Sequence, residues 1–234
     1  MRTLLNDVRL SDVMKSTTAE HAISPSRARR EREKAETREL ILEAARALFT
    51  VEGYAQTSMR RIADQIGYTA TAIYHHFADK DALLNELCLN DFRALGEALR
   101  QMEQLPDPID RIRAMGVNYI KFAVNHPEQF RFMFLVERPI PGPDVITIDP
   151  AEDGYAFLLA NVHEAMERGA FLPAFTDAEL LAQIFWGSVH GLAVIHVTKP
   201  RDGIHPWLDL REPGESAEAM VDVVCRGVLK STSA

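Results

Sequence analysis

The chain has 234 residues, of which 47% are hydrophobic and 26% charged, so it can bury a sizeable core and lies outside the compositional range of disordered segments. Its formal net charge is −8, but residues 26–80 carry ten Lys/Arg against eight Asp/Glu, and residues 81–234 carry thirteen against twenty-three. The overall acidity therefore excludes nothing about the locally basic amino-terminal part, and two distant cysteines, Cys88 and Cys225, exclude a disulfide framework and fit a reducing compartment.

Residues 1–25 show no sustained periodicity and no continuous apolar run, which predicts a disordered tail without a signal peptide. Arg27, Arg29, Arg30, Arg32 and Lys34 follow as a basic run. Two readings compete: a solvated helix start paired with Glu31, Glu33 and Glu36, or an arm that neutralises phosphates or enters a minor groove. Position directly before the next motif favours the arm. A helix over 35–51 carries Leu40, Ile41, Ala44, Ala45, Leu48 and Phe49 as one stripe, and Gly53 ends it.

The stretch from Thr57 to Lys80 organises the rest. Thr57 is expected to cap a first short helix with Met59, Ile62, Ala63 and Ile66 inward, and Gly67 stands where a residue of positive φ must end it. Thr69 caps a second helix held by Ala72, Ile73 and Phe77, and Asp79 caps a third. Two short helices with a Gly-containing joint form a helix-turn-helix, here over about 58–77. A plain αα-hairpin inside a helical core would show the same spacing. The polar content separates them: Thr69, Thr71, Tyr74, His75 and His76 crowd the second helix, as a base-reading helix requires and a packing helix does not.

From 79 to 105, Leu84, Cys88, Phe92, Leu95, Leu99 and Met102 make a continuous seam, a long helix joining two bodies. Asp107 and Pro108 open a helix through 125, His126 and Pro127 a short aromatic one, and residues 139–151 form a Pro-rich loop long enough for a lid. A helix over 152–168 ends at Gly169. Thr176 and Glu179 read as a capping box opening a helix to Val197 that is apolar nearly all round and so is expected to be buried on all sides. Its Gln183, Ser188, His190 and His196 argue against a membrane span. The last helix covers 215–229. No strands or repeats are evident.

The residues TRELILEAARALFTVEGYAQTSMRRIA, GYTATAIYHHF and DKDALL, from Thr37 to Leu84, resemble the DNA-binding domain of TetR-family transcriptional regulators. The resemblance implies an all-α fold: a three-helix DNA-binding domain over 26–82, and a larger helical ligand-binding and dimerisation domain over 83–234. It also implies a cytoplasmic homodimer, with recognition helices about 34–36 Å apart on palindromic double-stranded DNA, joined through a four-helix bundle of the Trp186 helix and the last helix. Such a regulator, a repressor by this reading, is released when an apolar small molecule displaces the 79–105 helix.

Residue by residue, Tyr74 and Lys80 match positions where TetR-like proteins contact phosphates, and Thr57 and Arg60 are expected to grip adjoining ones. Ala70 and Thr71 face the bases, with Thr69 and His75 beside them. Many family members carry Gly-Thr where this chain has Thr71-Ala72, so no base contact is assigned to Ala72. Trp186-Gly187-x-x-His190-Gly191 is similar to the Trp-His-Gly pattern of one TetR subgroup. It places Trp186 and a polar His190 with Tyr119, Phe130, Phe134 and Tyr155 around an apolar pocket; packing or dimerisation is the alternative role for Trp186.

No metal is expected, because His126, His163, His190, His196 and His205 lack ligand spacing. Nor is a cofactor or catalytic site, since no phosphate loop or nucleophile–base pair is evident. Two rivals remain: a DNA-binding dimer without an effector, and a helical enzyme or carrier with a vestigial helix-turn-helix.

Overall fold

The computed structural model describes residues 25–135, 152–199 and 210–230. The expected tail, the 139–151 loop and His205 lie outside the described residues.

Helix α1 spans Pro25–Glu52, starting ten residues before the expected boundary. Pro at the first helical position and a run of Arg, Glu, Lys and Ala favour helix over an extended arm. Arg27 and Arg29 pair one turn on with Glu31 at 3.0 Å and Glu33 at 2.7 Å. The arm expectation is thus corrected for 26–34: the run is the exposed first turns of α1.

Helices α2 (Met59–Gln65) and α3 (Ala70–Tyr74) form the predicted pair. The cap of α2 is Ser58, whose Oγ accepts from the Arg61 N–H at 3.1 Å. Thr57 is buried, and its hydroxyl donates to the Gly53 carbonyl at 2.9 Å. Between the helices Gly67 takes φ of 71°, and the next N–H, of Tyr68, returns to the Ala63 carbonyl at 2.9 Å. A side chain at residue 67 would be strained there. The Thr69 hydroxyl accepts from the Ala72 N–H at 3.2 Å, capping α3 as expected.

Helix α4 (Lys80–Arg100), capped by Asp79, runs on into a 3₁₀ turn at Gln101–Gln104. Then come α5 (Pro108–Asn125), α6 (Pro127–Phe134), α7 (Gly154–Glu167), α8 (Ala178–Thr198) and α9 (Pro213–Val228). Asp107 caps α5 as expected. Asp177, not Thr176, caps α8, its carboxylate accepting from the Leu180 N–H at 3.1 Å, so the expected capping box does not form. Among the described residues the only β pairing is one bridge, Phe171 to Leu229.

The buried side chains fall into two clusters. One gathers α1, α2, α3 and the start of α4 around Ile41, Phe49, Ile62, Ile73, Leu84 and Cys88, and takes in Phe132 from α6. The other joins Leu95 and Leu99 of α4 to α5, α7, α8 and α9. α4 thus serves both cores, as a connector must. It meets the start of α7 at Gly96, where a Cβ would stand 2.0 Å from the Glu152 carbonyl oxygen, so any larger residue would push these helices apart.

One expectation about α8 fails in the single chain. Leu180 is 51% exposed, Ile195 40% and Trp186 37%, and nothing approaches Gly187 or Gly191 within 4 Å of a Cβ. This apolar helix is packed along one side and open along the other.

Candidate functional site

Two sites take shape, one at each end of α4. At the first, α3 is seated by buried Ile73 and Phe77, and this seating turns Thr71, Tyr74 and His75 outward. Thr69 is exposed at the cap, Ala70 is half-buried, and Arg60 stands exposed on α2. Six expected DNA-facing residues are therefore at least partly open to solvent. Thr57 is not: its side chain is inside, so it neither caps α2 nor reaches a phosphate.

Lys80 also departs from expectation. Its Nζ donates to the carbonyls of Tyr54 at 2.7 Å and Thr57 at 2.9 Å, and lies 4.1 Å from the Tyr54 ring centre. The Tyr54 hydroxyl donates to Asp81. Burial, reinforced by that carboxylate, pushes the phenol's pKa well above its ordinary value. Lys80 is consequently a clasp fastening the entry of α2 to α4, rather than a cation presented to solvent. Beyond α3, Arg38 grips Glu86 with two nitrogens, one bond at 2.7 Å, and covers the Phe77 ring at 4.1 Å. Neither clasp was expected from sequence, because both join residues far apart along the chain.

The second site is a partly open cavity of about 700 Å³ bordered by α4, α5, α6, α7, α8 and α9, within the size range of small-molecule pockets. Tyr119, Phe134, Tyr155 and Trp186 line it as expected. Phe130 does not; it is fully buried behind Tyr119, ring centres 6.0 Å apart. His190 is not a lining residue either, which corrects its role as a polar handle. Its Nδ1 lies 2.8 Å from the Tyr119 hydroxyl, and its ring packs against Trp186 at 5.1 Å and Phe134 at 4.9 Å.

Burial raises the Tyr119 pKa, opposed by a hydrogen bond with Trp186, and burial lowers that of His190. Both stay neutral near pH 7, so His190 holds the Tyr119 hydroxyl from behind.

The polar lining comes largely from residues to which the sequence assigned other roles. Glu179 accepts from the Tyr155 hydroxyl at 3.3 Å, and Gln183 and Ser188 of α8 and Asp153 before α7 also line the cavity. A signal was present: Glu179, Gln183, Trp186 and His190 recur along one stripe of α8, polar interruptions in an otherwise apolar helix.

Helix α6 bridges the two sites. Phe130 and Phe134 pack beside the cavity's wall, whereas Phe132 enters the amino-terminal core. Nearby, Arg46 of α1 meets buried Asp91 of α4 through two bonds of 2.7 Å, and Gln129 donates to the same carboxylate at 3.1 Å. Burial pushes the Asp91 pKa up, and Arg46 restrains the shift.

Residues 41–87 match the family described as bacterial regulatory proteins, tetR family, and residues 112–224 match tetracyclin repressor-like, C-terminal domain. The second match is not to a Trp-His-Gly subgroup, and that expectation gains no support from it. Among curated proteins, the HTH-type transcriptional regulator AcrR of Shigella flexneri is 32% identical over 103 residues, 43% of this chain and 48% of that protein. The chain spans 48%, 44% and 34% of the lengths of the first three curated relatives it matches. Among solved structures, a protein of unknown function from Rhodococcus sp. RHA1 superposes with a TM-score of 0.66 at 24% identity, covering 82% of this chain and 95% of that one. AibR, solved with isovaleryl coenzyme A and operator DNA, superposes with a TM-score of 0.63 at 24% identity, covering 80% and 96%. Likeness at this identity concerns the fold alone.

Proposed function

The chain belongs to the TetR family of bacterial regulatory proteins, and on that premise we propose that it is a cytoplasmic, sequence-specific transcriptional repressor. It acts as a homodimer on a palindromic operator, and a small molecule in the cavity releases it. The DNA-binding part is residues 26–82, and residues 83–234 bind the effector and dimerise. The observation that carries this reading is the outer face of α3: Thr71 and Tyr74 on the helix and His75 at its cap are exposed while Ile73 anchors the other face.

Base reading falls to Ala70 and Thr71, with Thr69 and His75 beside them, and phosphate contact to Tyr74 and Arg60. Neither base-facing position is an Arg or Gln, so neither makes a bidentate base contact, each worth about 1–3 kcal/mol. Selectivity therefore leans on DNA shape as well. Dimerisation is supported by the open apolar side of α8, where Leu180 and Ile195 are exposed together with Val223 of α9. Small Gly187 and Gly191 allow a second helix to approach closely.

Release follows from a difference in affinity between two conformations. An occupant of the cavity touches Phe92, Leu95 and Leu99 of α4, whose other end carries the DNA-reading module. A ligand that fits best with α4 displaced depopulates the spacing that matches two successive major grooves. The cavity's volume favours an effector over a dimer with none, and one protein of this fold, AibR, was solved with isovaleryl coenzyme A. The regulatory family gives no reason to assign catalysis.

The test is selection of genomic fragments by the full chain at low ionic strength. Enrichment of a two-fold symmetric sequence is expected; recovery of unrelated fragments, or of none, would overturn the proposal.

A further inference from the structure

The charge of the cavity's occupant can be read from its walls; this inference rests on the reading above that the cavity holds an effector. Among the described lining residues there is no Lys, Arg or His, but there are two carboxylates, Asp153 and Glu179. Asp153 is committed locally: it caps α7 and accepts from the Tyr155 N–H at 2.8 Å, where the helix end offsets its charge. Glu179, exposed in the first turn of α8, receives a long bond, 3.3 Å, from the Tyr155 hydroxyl to one of its oxygens and keeps the rest of its carboxylate open to a ligand. Beside it Tyr155 and Trp186 meet edge to face, ring centres 6.1 Å apart.

Two described cations of α4, beside the start of α7, turn elsewhere. Arg93 pairs with Glu152 at 2.7 Å, and Arg100 lies over the Phe157 ring at 5.2 Å while reaching the Asp153 carbonyl. Neither lines the cavity.

We propose that the cavity takes a lipophilic molecule with a cationic or hydrogen-donating head, the body among Leu99, Met115, Val189 and Val224 and the head at Glu179 beside the Tyr155–Trp186 pair. An ammonium there gains a carboxylate and an aromatic neighbour. A carboxylate or a coenzyme A thioester would instead enter an apolar space facing like charge, with no lining cation among the described residues to compensate its desolvation.

The test is calorimetric titration of the full-length protein with 4-phenylbenzylamine, 4-phenylbenzyl alcohol and 4-phenylbenzoate, which share one body and differ in the head. The amine is expected to bind about tenfold tighter than the benzoate at low salt, with the alcohol between. Glu179→Gln should bring the amine to the level of the alcohol and leave the alcohol unchanged. Benzoate binding as tightly as the amine, or an amine preference that survives Glu179→Gln, would overturn the charge assignment while leaving the cavity as an effector site. Heats and melting temperatures unchanged by all three would overturn the effector reading itself.

Discussion

Phe132 of α6 lies nearly flat against Phe49 of α1, ring centres 5.7 Å apart and planes 18° from parallel. The same short helix packs Phe134 against Tyr119 and Trp186's neighbour His190 at the cavity. A helix bordering the effector site is thereby plugged into the core of the DNA-reading module, and any shift of α6 is felt by α1.

Phe132→Ala removes a buried ring from that joint and should cost about 3–5 kcal/mol, as large-to-small core changes do. Phe132→Leu, closer in volume, should cost less and keep the fold. Urea unfolding followed by circular dichroism measures both. A loss below about 1 kcal/mol for the alanine variant would show that the ring is not part of the core. In the leucine variant, ligand addition should also release DNA less completely.

Lys80 and Tyr74 should separate under mutation. Lys80→Met leaves the carbonyls of Tyr54 and Thr57 without their donor, at about 1–3 kcal/mol, so its melting temperature should fall. Tyr74 is 53% exposed, and Tyr74→Phe should leave the melting temperature alone while weakening specific and random DNA alike. Unchanged affinity for random duplexes would remove Tyr74 from the phosphate contacts.

His190 gives a pH dependence with a definite sign. Burial holds its folded pKa below the ordinary 6.5, so around that pH the unfolded chain binds a proton that the folded chain refuses. Its contribution to stability is complete above pH 6.5 and is lost as pH falls through the window down to the folded pKa. His190→Gln can still bond to Tyr119 but does not titrate. Melting temperatures taken from about pH 7.5 to about pH 5 should therefore fall more steeply for the wild type than for the variant. Parallel curves would refute the assignment.

The open side of α8 and α9 should be where two copies meet. Ile195→Asp or Val223→Asp places a charge on an exposed apolar surface and should cost the single chain little stability. Each should shift sedimentation from dimer to monomer and abolish cooperative binding to a palindrome. A dimer that survives both substitutions would place the interface elsewhere.

The fold was largely legible because its signals are local. Caps at Thr69, Asp79 and Asp107, the positive φ at Gly67, and the 3.6-residue stripes each speak through residues within a turn or two. What escaped depends on partners distant in sequence. Thr57 reads as a cap until Lys80 and Gly53 claim its groups, and Lys80 reads as a free cation until those carbonyls are near it. His190 reads as a pocket ligand until Tyr119 occupies its nitrogen. Gly96 carries no sequence signal for the close approach of Glu152. The basic run failed for another reason: helix propensity and i,i+4 pairing outweighed an argument from position alone.

The most direct test is a hydroxyl-radical footprint of the full chain on a duplex recovered by genomic selection. Two protected patches related by a two-fold axis, their centres about 10–10.5 base pairs apart and both weakened in Thr71→Ala with Tyr74→Phe, are the predicted result. A single patch, no protection at low ionic strength, or a footprint indifferent to those two substitutions would contradict it.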